Sequence, residues 1–223
     1  MKSVFRLLAF VAIAVSAATV NAGLITNGSF EKPTLAPGTY LNFLGGSTAI
    51  TGWTVVGVDS QLTTTVGQGG VVFQPQEGNQ WIDLAGVNSN SSLSGVAQDV
   101  ATIIGTTYQL DFYVGSATDN IYHFASTVDL SINGAPRTSF TNPTAPTDHL
   151  DWKRFTVSFT ATSASTNIIF QNGSTPTNYL SALDNVELSV AAVPEPSSML
   201  IAIGAFAVGI FRRRRSAIVN TRQ

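Results

Sequence analysis

The sequence predicts an all-β fold, an antiparallel jelly-roll β-sandwich, flanked by an N-terminal signal helix and a C-terminal hydrophobic helix. Three observations predict it. Between residues 23 and 192 no long stretch shows helical spacing, while short runs alternate apolar and polar residues as half-buried strands do. Asn133-Gly134 and Asn172-Gly173 close two of those runs with a strong turn signal. Eight or nine strand-length runs then follow one another at the spacing of a sandwich rather than of alternating strands and helices.

Taken in order, residues 1–22 read as a cleavable signal peptide. Lys2 and Arg6 give a positive start, Leu7 to Ala18 is apolar or small, and Val20-Asn21-Ala22 supplies small or apolar residues at −3 and −1 of the cleavage site. The run is shorter than the roughly 20 residues a membrane span needs. Within 23–192 the expected strands are Trp53 to Val58, Val71 to Phe73, Gln80 to Leu84, Leu93 to Val100, Tyr108 to Val114, Val128 to Ile132, Phe155 to Phe159, Asn167 to Gln171 and Val186 to Val190. A domain of this length can bury a core without disulfides, and the chain has no cysteine. With the ends removed, four basic residues face twelve acids, a net charge of −8 that the whole-chain value of −2 conceals. Such acidity argues against nucleic-acid binding and suits calcium on an exported protein.

Residues 193–223 form a three-part tail. Pro194-Glu195-Pro196 stops the preceding strand, Met199 to Phe211 is apolar, and Arg212, Arg213, Arg214 and Arg215 follow at once. The apolar part rises roughly 20 Å as a helix, short of a ~30 Å hydrocarbon core, and the arginines mark its cytoplasmic side. This tail resembles the PEP-CTERM sorting signal of Gram-negative bacteria. The resemblance implies recognition by an exosortase, transient residence in the inner membrane, and delivery to the cell surface or extracellular matrix, usually in species that make exopolysaccharide.

A second resemblance covers nearly the whole middle. Asn27-Gly28-Ser29-Phe30-Glu31, Gly52-Trp53, Val58-Asp59-Ser60, Glu77-Gly78, Trp81-Ile82-Asp83-Leu84, Gly105 to Phe112 and Leu183-Asp184-Asn185-Val186 occur in the order of the plant cell-wall family called domain of unknown function 642. The chain is more distantly similar to calcium-containing, galactose-binding-like carbohydrate-binding modules. The plant proteins carry cysteines and usually two such domains, whereas this chain has none and one. The similar modules imply that Glu31 and Asp184 help hold a structural calcium, with the Ser29 carbonyl and Glu77 as further oxygen donors.

Glycan binding calls for flat aromatic faces with amide and carboxylate groups at the rim. Tyr122, His123 and Phe124 follow a polar loop-like stretch, Tyr40 and Phe43 precede Gly45-Gly46, and Tyr113 faces outward from its strand. Trp53, Trp81 and Trp152 read as core anchors. Catalysis lacks support: there is no Gly-x-Ser-x-Gly, no His-Glu-x-x-His and no cysteine nucleophile, and Asp148-His149 reads as a solvated loop. The sequence therefore points to an exported, non-catalytic protein that binds exopolysaccharide or cell-wall glycan, with a structural or adhesive matrix protein as the competing class. An exposed aromatic ringed by polar groups would favour the first; a smooth Thr-rich surface would favour the second.

Overall fold

The computed structural model describes residues 24–192, apart from 88, 119–124 and 177. Both terminal segments, with the signal helix, the hydrophobic helix and the sorting motif read from the sequence, lie outside the described residues.

Thirteen strands form: β1 (Tyr40–Leu44), β2 (Thr54–Val56), β3 (Asp59–Thr64), β4 (Val66–Gln68), β5 (Val71–Phe73), β6 (Gln80–Asp83), β7 (Gly95–Ala101), β8 (Thr107–Ser116), β9 (Ser126–Ile132), β10 (Thr138–Asn142), β11 (Asp151–Thr160), β12 (Ser165–Asn172) and β13 (Ala182–Val190). They build a six-stranded sheet in the order β1-β3-β6-β13-β8-β11, a five-stranded sheet in the order β10-β9-β12-β7-β2, and the small hairpin β4-β5. Every pairing between these strands is antiparallel. From β6 to β13 the chain crosses from one sheet to the other at almost every step, which is the jelly-roll path.

Alternation places the core. Tyr108, Leu110, Phe112 and Val114 of β8 point between the sheets and meet Val128, Leu130, Ile168 and Phe170 from the other side. Trp53 lies at the centre, its ring 5.3 Å from Phe30 and 6.4 Å from Phe170. Its indole N–H donates to the Asn27 carbonyl at 3.0 Å, so a large apolar ring is buried without an unpaired donor.

A second, smaller cluster lies on the outer face of the six-stranded sheet. The hairpin β4-β5 folds over that face and packs Val66, Val71 and Phe73 on Trp81, Ala182 and Trp152, with Leu150 and Leu180 closing the sides. Backbone bonds from Val72 N–H to the Asp148 carbonyl and from Leu150 N–H to the Val72 carbonyl fasten the hairpin to the segment before β11.

The opening segment lies along the last strand: Leu24 N–H donates to the Leu188 carbonyl, and Val186 N–H donates to that of Gly28. The two Asn-Gly pairs differ. Asn133 and Gly134 both have positive φ and turn β9 into β10 as expected. Asn172 does not turn a hairpin, because the next strand belongs to the opposite sheet. Its buried side chain instead bonds Asn90 Oδ1 at 2.9 Å and receives the Ser174 N–H at 3.0 Å, shaping the loop into β13.

The outer face of the five-stranded sheet is polar. Its side chains pair across strands: Asn167 with Asp99 at 2.7 Å, Ser139 with Asp129 at 2.6 Å, and Thr127 with Thr141 at 2.9 Å.

Candidate functional site

A cleft of about 510 Å³ opens on the outer face of the six-stranded sheet, beside the hairpin. Its floor follows from strand alternation: Tyr40 of β1, Gln61 and Thr63 of β3, and Trp81 and Asp83 of β6 share one face, with Thr63 opposite both Tyr40 and Trp81. Val66, Gly67, Gln68 and Phe73 of the hairpin make one wall, and Gly86, Val87, Tyr179 and Leu180 make the other. Tyr40 and Tyr179 are 58 and 48 % exposed and come from opposite sides of the β3-β6 floor. The volume lies within the ~300–1,000 Å³ of small-molecule clefts.

The polar groups of this floor are incompletely paired. Thr63 Oγ1, Trp81 Nε1 and, next to them on β1, Asn42 Oδ1 are buried atoms with no protein partner. Each such group costs about 1–3 kcal/mol, and these three lie on adjacent strands beneath the cleft.

Two acids back the cleft. Asp83 accepts N–H bonds from Ala85 at 3.0 Å and Ser181 at 2.9 Å, both on Oδ1. Burial pushes its carboxyl up to about 7; those two N–H donors oppose the rise and the nearby Asp59 adds to it. Asp59 is itself buried and accepts from Asn42 Nδ2, the Val87 N–H and the Ser89 hydroxyl. Gly86 lies against it with φ +68°, and any Cβ there would collide with the Asp59 carboxylate, so the wall of the cleft requires glycine at this point.

Glu31 and Asp184 converge elsewhere, as a second device of the same kind. Asp184 Oδ2 receives the N–H groups of Gln76 at 2.8 Å and Glu77 at 3.1 Å, while its Oδ1 receives that of Asn185 at 2.7 Å. Glu31 Oε1 receives those of Asn79 at 2.7 Å and Gln80 at 2.8 Å. Together they hold the loop between β5 and β6, and the start of β6, by four backbone donors, Gln76, Glu77, Asn79 and Gln80. Burial raises the Asp184 carboxyl to about 8; the three N–H bonds lower it and the charge of Glu31 raises it further. Ser29 is half-buried nearby in sequence, and the Glu77 side chain is exposed. Among the described residues no three acids or histidines cluster as a metal-ligand group. Two converging carboxylates, one of them buried without a cationic partner, are hard oxygen donors of the kind calcium takes.

Of the aromatic residues singled out in the sequence, Tyr40 lies on the cleft floor. Tyr113 is half-buried on the same outer face but opposite Arg154 and Asp184, outside the cleft lining. Phe43 points into the core. Tyr122, His123 and Phe124 lie outside the described residues. Asp148 and His149 form an exposed pair at 2.6 Å. Trp81 anchors the outer cluster and lines the cleft as well. Gln61, Thr63, Asp83 and Tyr179 are functional candidates that periodicity did not single out.

An all-β jelly roll with an aromatic and polar cleft on one sheet defines the class, a β-sandwich module. Residues 23–189 match the family described as "Protein of unknown function (DUF642)", and the chain belongs to that family. Residues 192–215 match the PEP-CTERM protein-sorting motif, which marks an exported protein sorted by an exosortase. No curated protein matches the chain. Among solved structures it is similar to one titled "CBM4 structure and function", at 19 % identity over 75 % of this chain and 99 % of that one, with a TM-score of 0.36. It is similar to the CBM22-1 xylan-binding domain of Paenibacillus barcinonensis Xyn10C, at 12 % identity over 72 and 99 %, with a TM-score of 0.40. It also resembles an exo-β-1,3-galactanase of Phanerochaete chrysosporium at 17 % identity and a TM-score of 0.40, covering 68 % of this chain and 29 % of that one.

Proposed function

We propose that this protein is a non-catalytic glycan-binding module displayed at the cell surface or in the extracellular matrix. The observation that carries the reading is the cleft in which the exposed rings of Tyr40 and Tyr179 stand beside the amide side chains of Gln61 and Gln68. Sugar rings present apolar faces to aromatics and hydroxyls at their edges, and this lining offers both. Asp83 is the one carboxylate among the residues lining the cleft, and a glycosidase needs two flanking the scissile bond. The sorting signal agrees with a role among surface polysaccharides.

Calcium belongs to the proposal as a staple and not as a reactant. Glu31 and Asp184 would hold it, with the Ser29 carbonyl completing the oxygen set; the exposed Glu77 side chain would join only by turning inward. A divalent cation there would stabilise the ionised form of Asp184, which burial disfavours. Chelation is expected to lower the melting temperature, and an unchanged value counts against the ion.

A glycan-array screen of the exported protein, run with calcium and with chelator, tests the main reading. Retention on at least one polysaccharide is expected, and no retention under either condition overturns it. The competing reading, a structural or adhesive matrix protein, draws on the polar, self-paired outer face of the five-stranded sheet.

A further inference from the structure

We infer that the cleft selects neutral glycosyl units and turns away uronic, sulfated and phosphorylated ones, an inference that rests on the glycan-binding reading above. The argument is one of charge placement. No lysine or arginine is among the described residues that line the cleft. The four described basic residues lie outside the lining: Arg154 pairs with Asp111 at 3.1 Å, Arg137 donates to the Ser92 carbonyl at 2.6 Å, the Lys153 ammonium sits 5.1 Å from the centre of the Phe155 ring, and Lys32 is exposed on the opening segment. The acids are close by. Asp83 lines the cleft, and Asp59 lies behind Gly86 and Val87, both wall residues.

An anionic sugar entering this space would lose water without finding a cation, and it would face a buried carboxylate. Like charges brought together in a desolvated site cost several kcal/mol. A neutral sugar meets no such barrier. Its apolar faces suit the exposed Tyr40 and Tyr179 rings, and its hydroxyls suit the side chains of Gln61 and Gln68. The exposed hairpin residue Gln68 is the point at which the charge of the wall is most easily changed without touching the core.

The test is affinity electrophoresis of the exported protein, with calcium and with chelator, against xylan, galactan, polygalacturonate and quaternised (N,N,N-trimethyl) chitosan at pH 8 and moderate salt. Retention by xylan or galactan, at least about tenfold stronger than by polygalacturonate, is expected, and Tyr40→Ala should weaken it about tenfold. Gln68→Arg, which adds a cation to the rim, should raise polygalacturonate retention toward the neutral level. Equal or stronger retention by polygalacturonate in the unaltered protein overturns the selectivity while leaving glycan binding intact. Preference for the cationic chitosan overturns it too. Retention that survives Tyr40→Ala and Tyr179→Ala together removes the cleft as the site. Binding to none of the four sinks the glycan reading and this inference with it.

Discussion

On the outer face of the five-stranded sheet, Thr127, Asp129 and Asn167 each find a partner side chain on a neighbouring strand. On the outer face of the six-stranded sheet, Asn42, Thr63 and Trp81 keep buried atoms that find none. Both faces draw on the same Thr, Ser, Asn and Gln-rich composition. The difference lies in what covers them. Water reaches the first face everywhere, so its hydroxyls and amides pair in pairs that are individually cheap to lose. The hairpin β4-β5 covers part of the second, shields its polar atoms from water and leaves a cleft where they remain unpaired. A polar surface becomes a site when part of it is roofed.

The comparison can be broken at several points, the largest effect first. Trp81→Ala removes the ring on which Phe73 and Trp152 pack, at 6.4 and 6.2 Å, and is expected to cost about 3–5 kcal/mol of stability. Thermal unfolding measures it. Loss of under about 1 kcal/mol would show that the hairpin roof is not seated on Trp81.

Titration comes next. Asp83 and Asp184 have folded-state values of about 7 and about 8, above the ordinary 3.8, so the folded protein holds more protons than the unfolded one between those limits. Their protonated forms are the better tolerated ones. Stability is therefore greatest near pH 4 and falls as pH rises through 7 and 8, by on the order of a few kcal/mol for each acid at most. Melting curves from pH 5 to 8.5 should slope downward, and Asp83→Asn should flatten part of that slope because Asn keeps an acceptor for Ala85 and Ser181. Calcium should remove the Asp184 part and leave the Asp83 part, separating the two acid clusters.

Smaller effects concern binding. Tyr40→Ala or Tyr179→Ala should each weaken glycan retention by about 1–3 kcal/mol with little change in melting temperature. Thr63→Val should leave retention within about 0.5 kcal/mol and the protein melting no lower, since an unpaired buried hydroxyl is replaced by a methyl. Ser139→Ala and Thr141→Ala, on the five-stranded face, should change stability by less than about 0.5 kcal/mol and binding not at all. Loss of glycan retention in these last variants would move the site to the other face.

The sandwich was legible where strands bury one side against the main core. Tyr108 to Val114 and Val128 to Ile132 alternate cleanly because their outward residues meet water or polar neighbours. Strands β1, β3, β4 and β10 escaped notice for a physical reason. In β3, Leu62 alone joins the main core while the polar Asp59, Ser60, Thr63 and Thr64 are buried beside it, so no apolar rhythm exists to be read. The cleft floor is built from that strand, which is why Gln61 and Thr63 carried no signal. Tyr40 stood out as an aromatic beside glycines. Tyr179 did not, because its place depends on how the loop into β13 returns over β6, a long-range consequence of topology. Glu31 comes near Asp184 because the opening segment lies along β13, and not because the first strand neighbours the last: β1 stands at the sheet edge, with β3 and β6 between it and β13. Trp81 was read correctly as an anchor, but of the outer cluster and not of the centre.

The position of β13 has a consequence for export. It is the last strand of the chain, yet it lies in the middle of the six-stranded sheet, between β6 and β8, and it also receives the opening segment at Gly28 and Leu188. A chain emerging amino-end first cannot close that sheet until nearly all of it has crossed, because the central slot stays vacant. Long-range pairings of this kind form late and slowly. The sorting tail begins within a few residues of the strand that fills the slot, so completing the fold and presenting the tail become one event in time.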